Sequence, residues 1–219
     1  LKGNPTDEFQ TWEILSGKGG QGSYFNPTFL SPQGESQVTG HSTQIITDKA
    51  LDWLKKRNRK KPFLLCAQYK VPHIHRLPPP DHMSGYDDYE FPVPKTFFDD
   101  FSTRSPFVSK TWMALKGMKG HVLNIAPLES EIETNPKLIP PFLSEMTTKQ
   151  RKAWHQAYDP RNKRYRELEK QHKLQGDERN LYVYQRFIKD YVRCIDGLDA
   201  QIGRIPVSYT HLTLPTIVS

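Results

Sequence analysis

The sequence predicts an α/β fold, and three segments lead to that prediction. Residues 39–58 have the apolar spacing of an amphipathic helix, and residues 62–69 are the continuous apolar run PFLLCAQY. Such a run is typical of a strand buried on both faces of a parallel sheet. A helix, a short link and a buried strand make half of an α/β unit. A long amphipathic pattern at residues 177–204 predicts a helix that packs on the sheet.

The composition indicates one domain with a modest core. The chain has 219 residues, of which 36% are hydrophobic, and it contains 18 prolines. Domains of this size bury roughly 70% of the surface that the unfolded chain exposes. We therefore expect a real core with long ordered loops. No run of about 18 apolar residues is present, so no membrane-spanning helix is predicted.

Short strands and tight turns are predicted for residues 9–30, where apolar stretches alternate with glycine and with Asn26-Pro27. GKGGQG at residues 17–22 differs from a phosphate-binding loop, which needs Gly-Lys-Ser/Thr at the start of a helix. The helix at residues 39–58 has Ser42 or Thr43 as its expected N-cap. Its apolar face carries Ile46, Ala50, Trp53 and Leu54.

Residues 54–61, LKKRNRKK, hold much of the net charge of +7. One interpretation is a solvated helix end, because cations at the last turn interact favourably with the helix dipole. The other is a surface that binds nucleic acid or another polyanion. No zinc-finger spacing or RNA-binding aromatic motif accompanies the run, so nucleic acid is not the expected partner. Cys66 and Cys194 lie among apolar residues and are expected to be inert buried thiols.

The second half of the chain is predicted to be helical after a long loop. Residues 71–106 are rich in proline and lack periodicity, which favours a functional or surface-wrapping segment. Helices are predicted at residues 109–122, 147–158 and 161–174, the second with Thr147 as N-cap and Trp154 as apolar anchor. In the helix at residues 177–204, the apolar stripe is expected to face the core. Its residues are Leu181, Tyr184, Ile188, Tyr191, Ile195, Leu198 and Ile202. The opposite, polar face carries Arg186, Lys189, Asp190, Arg193 and Asp196.

A cluster of basic side chains follows the predicted strand, in KVPHIHR at residues 70–76. Ligands of open α/β sheets bind beyond the carboxyl ends of strands. Pro72 and the three prolines at residues 78–80 stiffen the backbone on either side of the histidines. An ammonium and an imidazole held in this way suit a polar anionic group, and histidine can also act as an acid.

Several segments, in order, resemble the type I sulfatases, the arylsulfatase family of the alkaline-phosphatase-like superfamily. The segment TGHSTQIITDKALDWLKKRNRKKPFLLCAQYKVPH at residues 39–73 is similar to the middle of these enzymes. QGSYFNPTFL, VPKTFFDDFSTR and YVYQRFIKDYVRCIDGLDAQIGR resemble bacterial carbohydrate sulfatases. The resemblance covers nearly all of residues 9–205. It implies an incomplete alkaline-phosphatase-like α/β fold, of which this chain is the middle portion, and hydrolysis of sulfate esters on carbohydrates or glycosaminoglycans.

The resemblance also implies site residues. His73 matches the family histidine that contacts the sulfate or the leaving oxygen, and Lys70 is its neighbour in the same motif. His75 and Arg76 are expected to face the sugar. The common pattern has arginine directly after the first histidine, whereas Ile74 stands there in this sequence.

The family uses a formylglycine nucleophile and a calcium ion, but this sequence contains neither the nucleophile motif, Cys/Ser-x-Pro/Ala-x-Arg, nor the metal-binding Asp pairs. The carboxylates of Asp87, Asp88, Asp99 and Asp100 are expected to be solvated loop groups, not calcium ligands. By itself the chain is therefore predicted to be inactive. The family further implies a periplasmic or secreted protein, and these residues contain no signal-peptide pattern.

Two alternative functions remain. A phosphodiesterase or phosphatase of the same superfamily would use Thr or Ser with two zinc ions. A non-enzymatic protein would bind polyanions through Lys55–Lys61. Residues 1–205 are predicted to be a partial sulfatase catalytic domain. Residues 206–219 are predicted to be a non-native tail, because VSYTHLTLPT at residues 207–216 resembles a translated sequencing adapter.

Overall fold

The computed structural model describes residues 8–17, 21–110, 115–118 and 120–213. The strands are β1 (Ile14–Ser16), β2 (Thr28–Ser31) and β3 (Gly34–Gln37). The α-helices are α1 (Ser42–Lys56), α2 (Pro106–Ser109), α3 (Glu129–Thr134), α4 (Pro141–Ser144), α5 (Thr148–Lys170) and α6 (Gly176–Thr213). Short 3-10 helices lie at Pro80–His82, Leu115–Gly117, Gly120–Leu123 and Pro136–Leu138. The described part of the chain is thus a small sheet beside a larger helical layer, and none of its helices is long and apolar enough to cross a membrane.

The sheet is antiparallel and contains its strands in the order β1-β2-β3. Ile14 pairs with Leu30 in β2, and Thr28 pairs with Gln37 in β3. Gly34 follows the turn between β2 and β3 with φ 105°, a left-handed conformation that glycine adopts without strain. The strands predicted within residues 9–30 are confirmed, whereas β3 was not predicted because its side chains are polar and exposed.

Helix α1 lies within the predicted range but has a different N-cap. The His41 side chain, not that of Ser42 or Thr43, accepts the hydrogen bond from the Thr43 N–H. The second imidazole nitrogen of His41 lies 3.0 Å from the Leu77 carbonyl oxygen. His41 therefore caps α1 and ties it to the loop that follows the basic cluster.

The capping role of His41 predicts a loss of stability in acid. Burial lowers the pKa of His41 from 6.5 to about 4, so the unfolded chain binds a proton at a pH where the folded chain does not. The free energy of unfolding should therefore fall by about 3 kcal/mol between pH 6.5 and pH 4, and stay level above pH 6.5. Urea unfolding at a series of pH values measures this. His41→Asn, which can cap α1 but does not titrate, should lose most of that slope, and an unchanged slope would contradict the assignment.

The prediction of a strand at residues 62–69 is wrong: the structure has no strand there. No ladder bonds pair this segment with β1, β2 or β3, and Leu64 is 74% exposed. Only one side packs: Leu65, Ala67 and Tyr69 are half-buried, and the Tyr69 hydroxyl lies 2.9 Å from Thr47 Oγ1. A strand requires partners for its main-chain groups, and the described residues supply none here. Cys66 is consequently exposed, against the prediction, while Cys194 is buried as predicted.

The proline-rich loop is anchored to helix α6. Pro78 and Pro79 are buried. A Cβ built on Gly197 of α6 would lie 2.5 Å from Pro79 Cδ, so glycine is required for this close approach. Asp87 was expected to be solvated but is paired with Arg161 and Arg193, each at 2.7 Å. The loop is therefore ordered by contacts with α5 and α6.

Helix α5 replaces the two helices predicted at residues 147–158 and 161–174. Thr147 is its N-cap, as predicted, and forms a capping box with Gln150. The helix continues through Pro160. Proline removes one main-chain donor from a helix, but Tyr158 before it and Asn162 after it are both buried. Tertiary packing on both sides of Pro160 thus keeps the helix continuous. The helix predicted at residues 109–122 is replaced by α2 and two 3-10 turns among the described residues, and part of it lies outside them.

Helix α6 buries the face that was predicted to be polar. The buried residues in it include Val183, Arg186, Asp190, Arg193 and Cys194, whereas Tyr191 and Ile202 of the predicted core stripe are exposed. Charged side chains are rarely buried unless they are paired. The side chains that α6 buries most completely therefore include three from the predicted polar face, although Leu198 of the predicted stripe also packs against the core.

A buried hydrogen-bond network allows α6 to bury these charges. Asp190 accepts hydrogen bonds from the Tyr158 hydroxyl, the Asn124 amide and the Arg193 guanidinium, at 2.8 to 2.9 Å. Arg193 also reaches Asp87 in the loop. Removal of either partner from a buried ion pair would leave an uncompensated charge. The network thus joins the loop, α5 and α6 around the main core, which includes Trp154, Tyr158, Leu143, Leu77 and Phe25.

Candidate functional site

The candidate site is the turn that follows the apolar segment, at residues 70–75. The His73 N–H donates to the Lys70 carbonyl oxygen at 3.0 Å, which closes the turn. The Val71–Pro72 and Ile74–His75 peptide bonds are cis. Lys70 and His75 are half-buried and His73 is exposed, so the turn presents all three predicted side chains near the surface.

The imidazole of His73 is oriented by its own loop. Its Nδ1 lies 2.6 Å from the Ile74 carbonyl oxygen. A carbonyl oxygen can only accept a hydrogen bond, so Nδ1 carries the proton. Within the described part of the chain, Nε2 of His73 has no hydrogen-bond partner, which leaves this atom available to an incoming group. It can accept a proton, or donate one when the ring is charged.

Lys70 is held against the segment that contains Tyr24. Its Nζ lies 3.3 Å from the Gln21 carbonyl oxygen and 5.2 Å from the centre of the Tyr24 ring. Burial lowers the pKa of Lys70, and the nearby negative charge of Glu145 acts in the opposite direction. The ammonium is thus partly desolvated, a state in which its attraction for an anion is stronger than in water.

His75 lies on an aromatic layer. Its ring stacks on Phe142 with centroids 4.8 Å apart, and Phe142 meets the edge of Trp154 at 5.9 Å. Trp154 in turn stacks on Tyr158 at 4.5 Å. One face of the His75 ring therefore packs on Phe142, and the half-buried ring remains near the surface.

Arg76 does not join the other three side chains at the surface. It is 6% exposed, donates to the Val122 carbonyl oxygen at 2.9 Å, and lies over the Phe187 ring at 4.1 Å. Its own carbonyl oxygen accepts from Asn124. In this structure the guanidinium of Arg76 packs the loop on α6, away from the surface where a sugar contact was predicted.

Two residues that sequence reasoning missed support the site. Tyr24 is 3% exposed and its hydroxyl donates to the His73 carbonyl oxygen at 2.5 Å. Asn26 donates to the Glu145 carbonyl oxygen and to Gln150, which connects the same segment to α5. Burial raises the pKa of Tyr24 above its usual value, so its hydroxyl stays a donor. The sequence signal is the motif YFNP, which predicts a tight turn and lies in a segment that resembles the sulfatases, but which by itself assigns no role to Tyr24 or Asn26.

The implied calcium ion does not fit the described residues. No group of three or more His, Cys, Asp or Glu side chains in the described ranges could hold a metal ion. Asp99 accepts hydrogen bonds from the Phe101 N–H and from Arg104, and these hydrogen bonds lower the pKa of Asp99. No catalytic step is therefore assigned to a metal in this chain.

The basic run has the geometry of a helix end. Lys55 and Lys56 form the last turn of α1, and Lys56 pairs with Asp52 at 2.7 Å. Arg57 donates to the Leu54 carbonyl oxygen and lies over the Phe63 ring at 4.8 Å. Part of the positive charge is thus engaged within the chain, as the solvated-helix-end interpretation expects.

Comparisons with known proteins identify sulfatases. No protein-family model matches the chain. It is 29% identical over 199 residues, 90% of its length, to an N-acetylglucosamine-6-O-sulfatase from Bacteroides thetaiotaomicron. It is also similar to the solved structure of BT4656 in complex with its substrate D-glucosamine-2-N,6-O-disulfate, with a TM-score of 0.85 and 28% identity over 94% of this chain. The chain spans 35% of the length of the first protein and 41% of the second.

Proposed function

We propose that this chain is part of the catalytic domain of a carbohydrate sulfatase, an enzyme that hydrolyses sulfate esters on amino sugars. The likeness in sequence and fold across nearly the whole chain is the observation that carries the proposal. Because the relatives are named for, or bound to, 6-O-sulfated glucosamines, this is the substrate class that we propose. The whole enzyme would act in the periplasm or outside the cell.

Within that enzyme, Lys70 and His73 would serve the sulfate group. Ester hydrolysis breaks an S–O bond, and the departing sugar oxygen must take up a proton. A partly desolvated ammonium can form charge-assisted hydrogen bonds with sulfate oxygens. A histidine whose Nδ1 is already bonded can direct Nε2 at the leaving oxygen and protonate it. His75, stacked on Phe142, would contact the sugar ring. The nucleophile and the calcium ligands would come from the remainder of the protein.

The alternative functions receive less support. A phosphodiesterase or phosphatase would share the superfamily fold, but the relatives found act on sulfated sugars. A polyanion-binding function of Lys55–Lys61 finds no accompanying motif, and the run has the contacts of a helix end. Lys56 and Arg57 help to line a cavity, but Glu13, Asp48 and Asp52 line the same cavity with negative charge. The polyanion-binding alternative predicts strong, salt-dependent binding to heparin that is lost when the charges of Lys55–Lys61 are neutralised.

Recovery of the full gene tests the proposal. Sequencing outward from both ends should reveal an Asp-Asp pair and Cys/Ser-x-Pro/Ala-x-Arg upstream, and Asp-Asn/Gln-Gly downstream. It also tests whether residues 206–219 are native. The full protein should release sulfate from 6-O-sulfated glucosamine, whereas the purified 219-residue chain should show no turnover. A Thr nucleophile with zinc-type ligands would instead identify a phosphoesterase, and turnover by the short chain would overturn the view that essential groups lie outside it.

A further inference from the structure

We propose that Tyr24 is a positioning residue that holds both Lys70 and His73 in their working geometry. This inference rests on the proposed function, because it assigns a role to Tyr24 within that site. Tyr24 precedes β2, and it lies 46 and 49 positions before Lys70 and His73 in the sequence. In the structure the aromatic ring of Tyr24 contacts Lys70, and its hydroxyl contacts His73.

The hydroxyl of Tyr24 holds the main chain of His73. It donates to the His73 carbonyl oxygen, and the His73 N–H donates to Lys70. The imidazole is oriented by the next carbonyl, that of Ile74. Any movement of the His73–Ile74 backbone would therefore turn the ring and redirect Nε2. The Tyr24 hydroxyl is buried and restricts that movement.

The ring of Tyr24 supports the ammonium of Lys70. A cation within about 6 Å of an aromatic centroid is attracted to the ring face, and Lys70 Nζ lies 5.2 Å from that of Tyr24. The Gln21 carbonyl oxygen, three residues earlier in the same segment, accepts from the same ammonium. One segment of chain thus locates Lys70 by two contacts.

Tyr24 itself is fixed by the rest of the fold. Its carbonyl oxygen accepts from the Ser42 N–H at the start of α1 at 2.7 Å. Its ring lies 5.8 Å from that of His41, the N-cap of α1. Two residues later, Asn26 is bonded to Glu145 and Gln150. The support for the site is therefore connected to α1 through Tyr24 itself and to α5 through Asn26, and these contacts restrict a displacement of Tyr24.

A double-mutant cycle in the full-length enzyme tests this role. Tyr24→Phe removes only the hydroxyl and keeps the ring, so the core and the contact with Lys70 remain. We expect kcat on 6-O-sulfated glucosamine to fall about tenfold with KM changed by less than about twofold, because one positioning hydrogen bond of ordinary strength is lost. In a His73→Ala background the same substitution should have no further effect, because the group that Tyr24 positions is gone.

The controls separate positioning from general stability. Tyr184→Phe also removes a hydroxyl that donates to a loop carbonyl, that of Pro92, and should leave kcat unchanged. Tyr24→Leu removes the ring as well and should lower kcat further than Tyr24→Phe does. In a Lys70→Ala background this additional decrease in kcat should vanish, because the ammonium that the ring supports is gone. The role of Tyr24 would be overturned if Tyr24→Phe lowered kcat equally in the unmutated and His73→Ala enzymes, or if it did not lower kcat at all. If the unmutated enzyme releases no sulfate, or if His73→Ala keeps full activity, the proposed function itself fails.

Discussion

In the full-length enzyme, we expect His73→Ala to lower kcat for sulfate release from 6-O-sulfated glucosamine by about 10²- to 10⁴-fold. This is the usual contribution of a positioned general acid or base. The imidazole is exposed, its Nδ1 is bonded to the Ile74 carbonyl oxygen, and Nε2 has no hydrogen-bond partner among the described residues. Few structural contacts would be lost with the ring, so the folded state should survive and the loss should appear in catalysis.

Two further variants sharpen the assignment of His73. His73→Gln retains a hydrogen-bond donor but cannot transfer a proton at neutral pH. Its KM should therefore be close to that of the unmutated enzyme, while its kcat should remain low. His172→Asn changes an exposed histidine in the link between α5 and α6, at φ 53°, a conformation that asparagine tolerates. It should retain full activity. Steady-state kinetics with thermal unfolding as a folding check measures all three, and a His73→Ala enzyme with wild-type kcat would remove His73 from the site.

In the 219-residue chain, we expect Trp154→Ala to lower the free energy of unfolding by about 3–5 kcal/mol, the usual cost of deleting a buried tryptophan side chain. Trp154 is 0% exposed and contacts Tyr158, Phe142 and His155 through its ring. Its removal would open a cavity where α4 and α5 meet, in the layer beneath His75. Urea unfolding followed by circular dichroism gives the change.

Smaller substitutions at Trp154 distinguish packing from hydrogen bonding. The indole N–H has no hydrogen-bond partner within the described ranges. Trp154→Phe therefore loses volume but no hydrogen bond, and should cost clearly less than Trp154→Ala. Phe107→Ala, at a ring that is 86% exposed, should stay within about 0.5 kcal/mol. A Trp154→Ala cost as small as that of Phe107→Ala would show that the described core is not the one that stabilises the chain.

Local patterns in the sequence were enough to place the three longest helices, α1, α5 and α6. The apolar spacing of residues 39–58 and 177–204 predicted α1 and α6, and Thr147 as N-cap with Trp154 as apolar anchor predicted the start of α5. These signals act over one or two helical turns, so neighbouring residues contain them. The ordered motifs through residues 9–205 likewise identified the sulfatase resemblance that the comparisons confirm.

The two largest errors, by contrast, depended on partners distant in sequence. The apolar run at residues 62–69 has the composition of a central strand, but a strand exists only where other strands pair with it. The charged face of α6 was expected in solvent, yet Asp190 and Arg193 are buried because Tyr158, Asn124 and Asp87 complete their hydrogen bonds. Neither partner set can be recognised from the pattern of a single segment.

The sequence by itself determined where the three longest helices form, which family the chain resembles and that Lys70, His73 and His75 lie within six consecutive residues. Only the tertiary structure decided that Arg76 points into the core while the other three remain near the surface. It also decided that Tyr24 contacts both Lys70 and His73. The physical reason is range: helix periodicity and capping are satisfied by neighbours within a few residues, whereas burial of a charge or the support of a side chain depends on atoms that only the folded chain brings together.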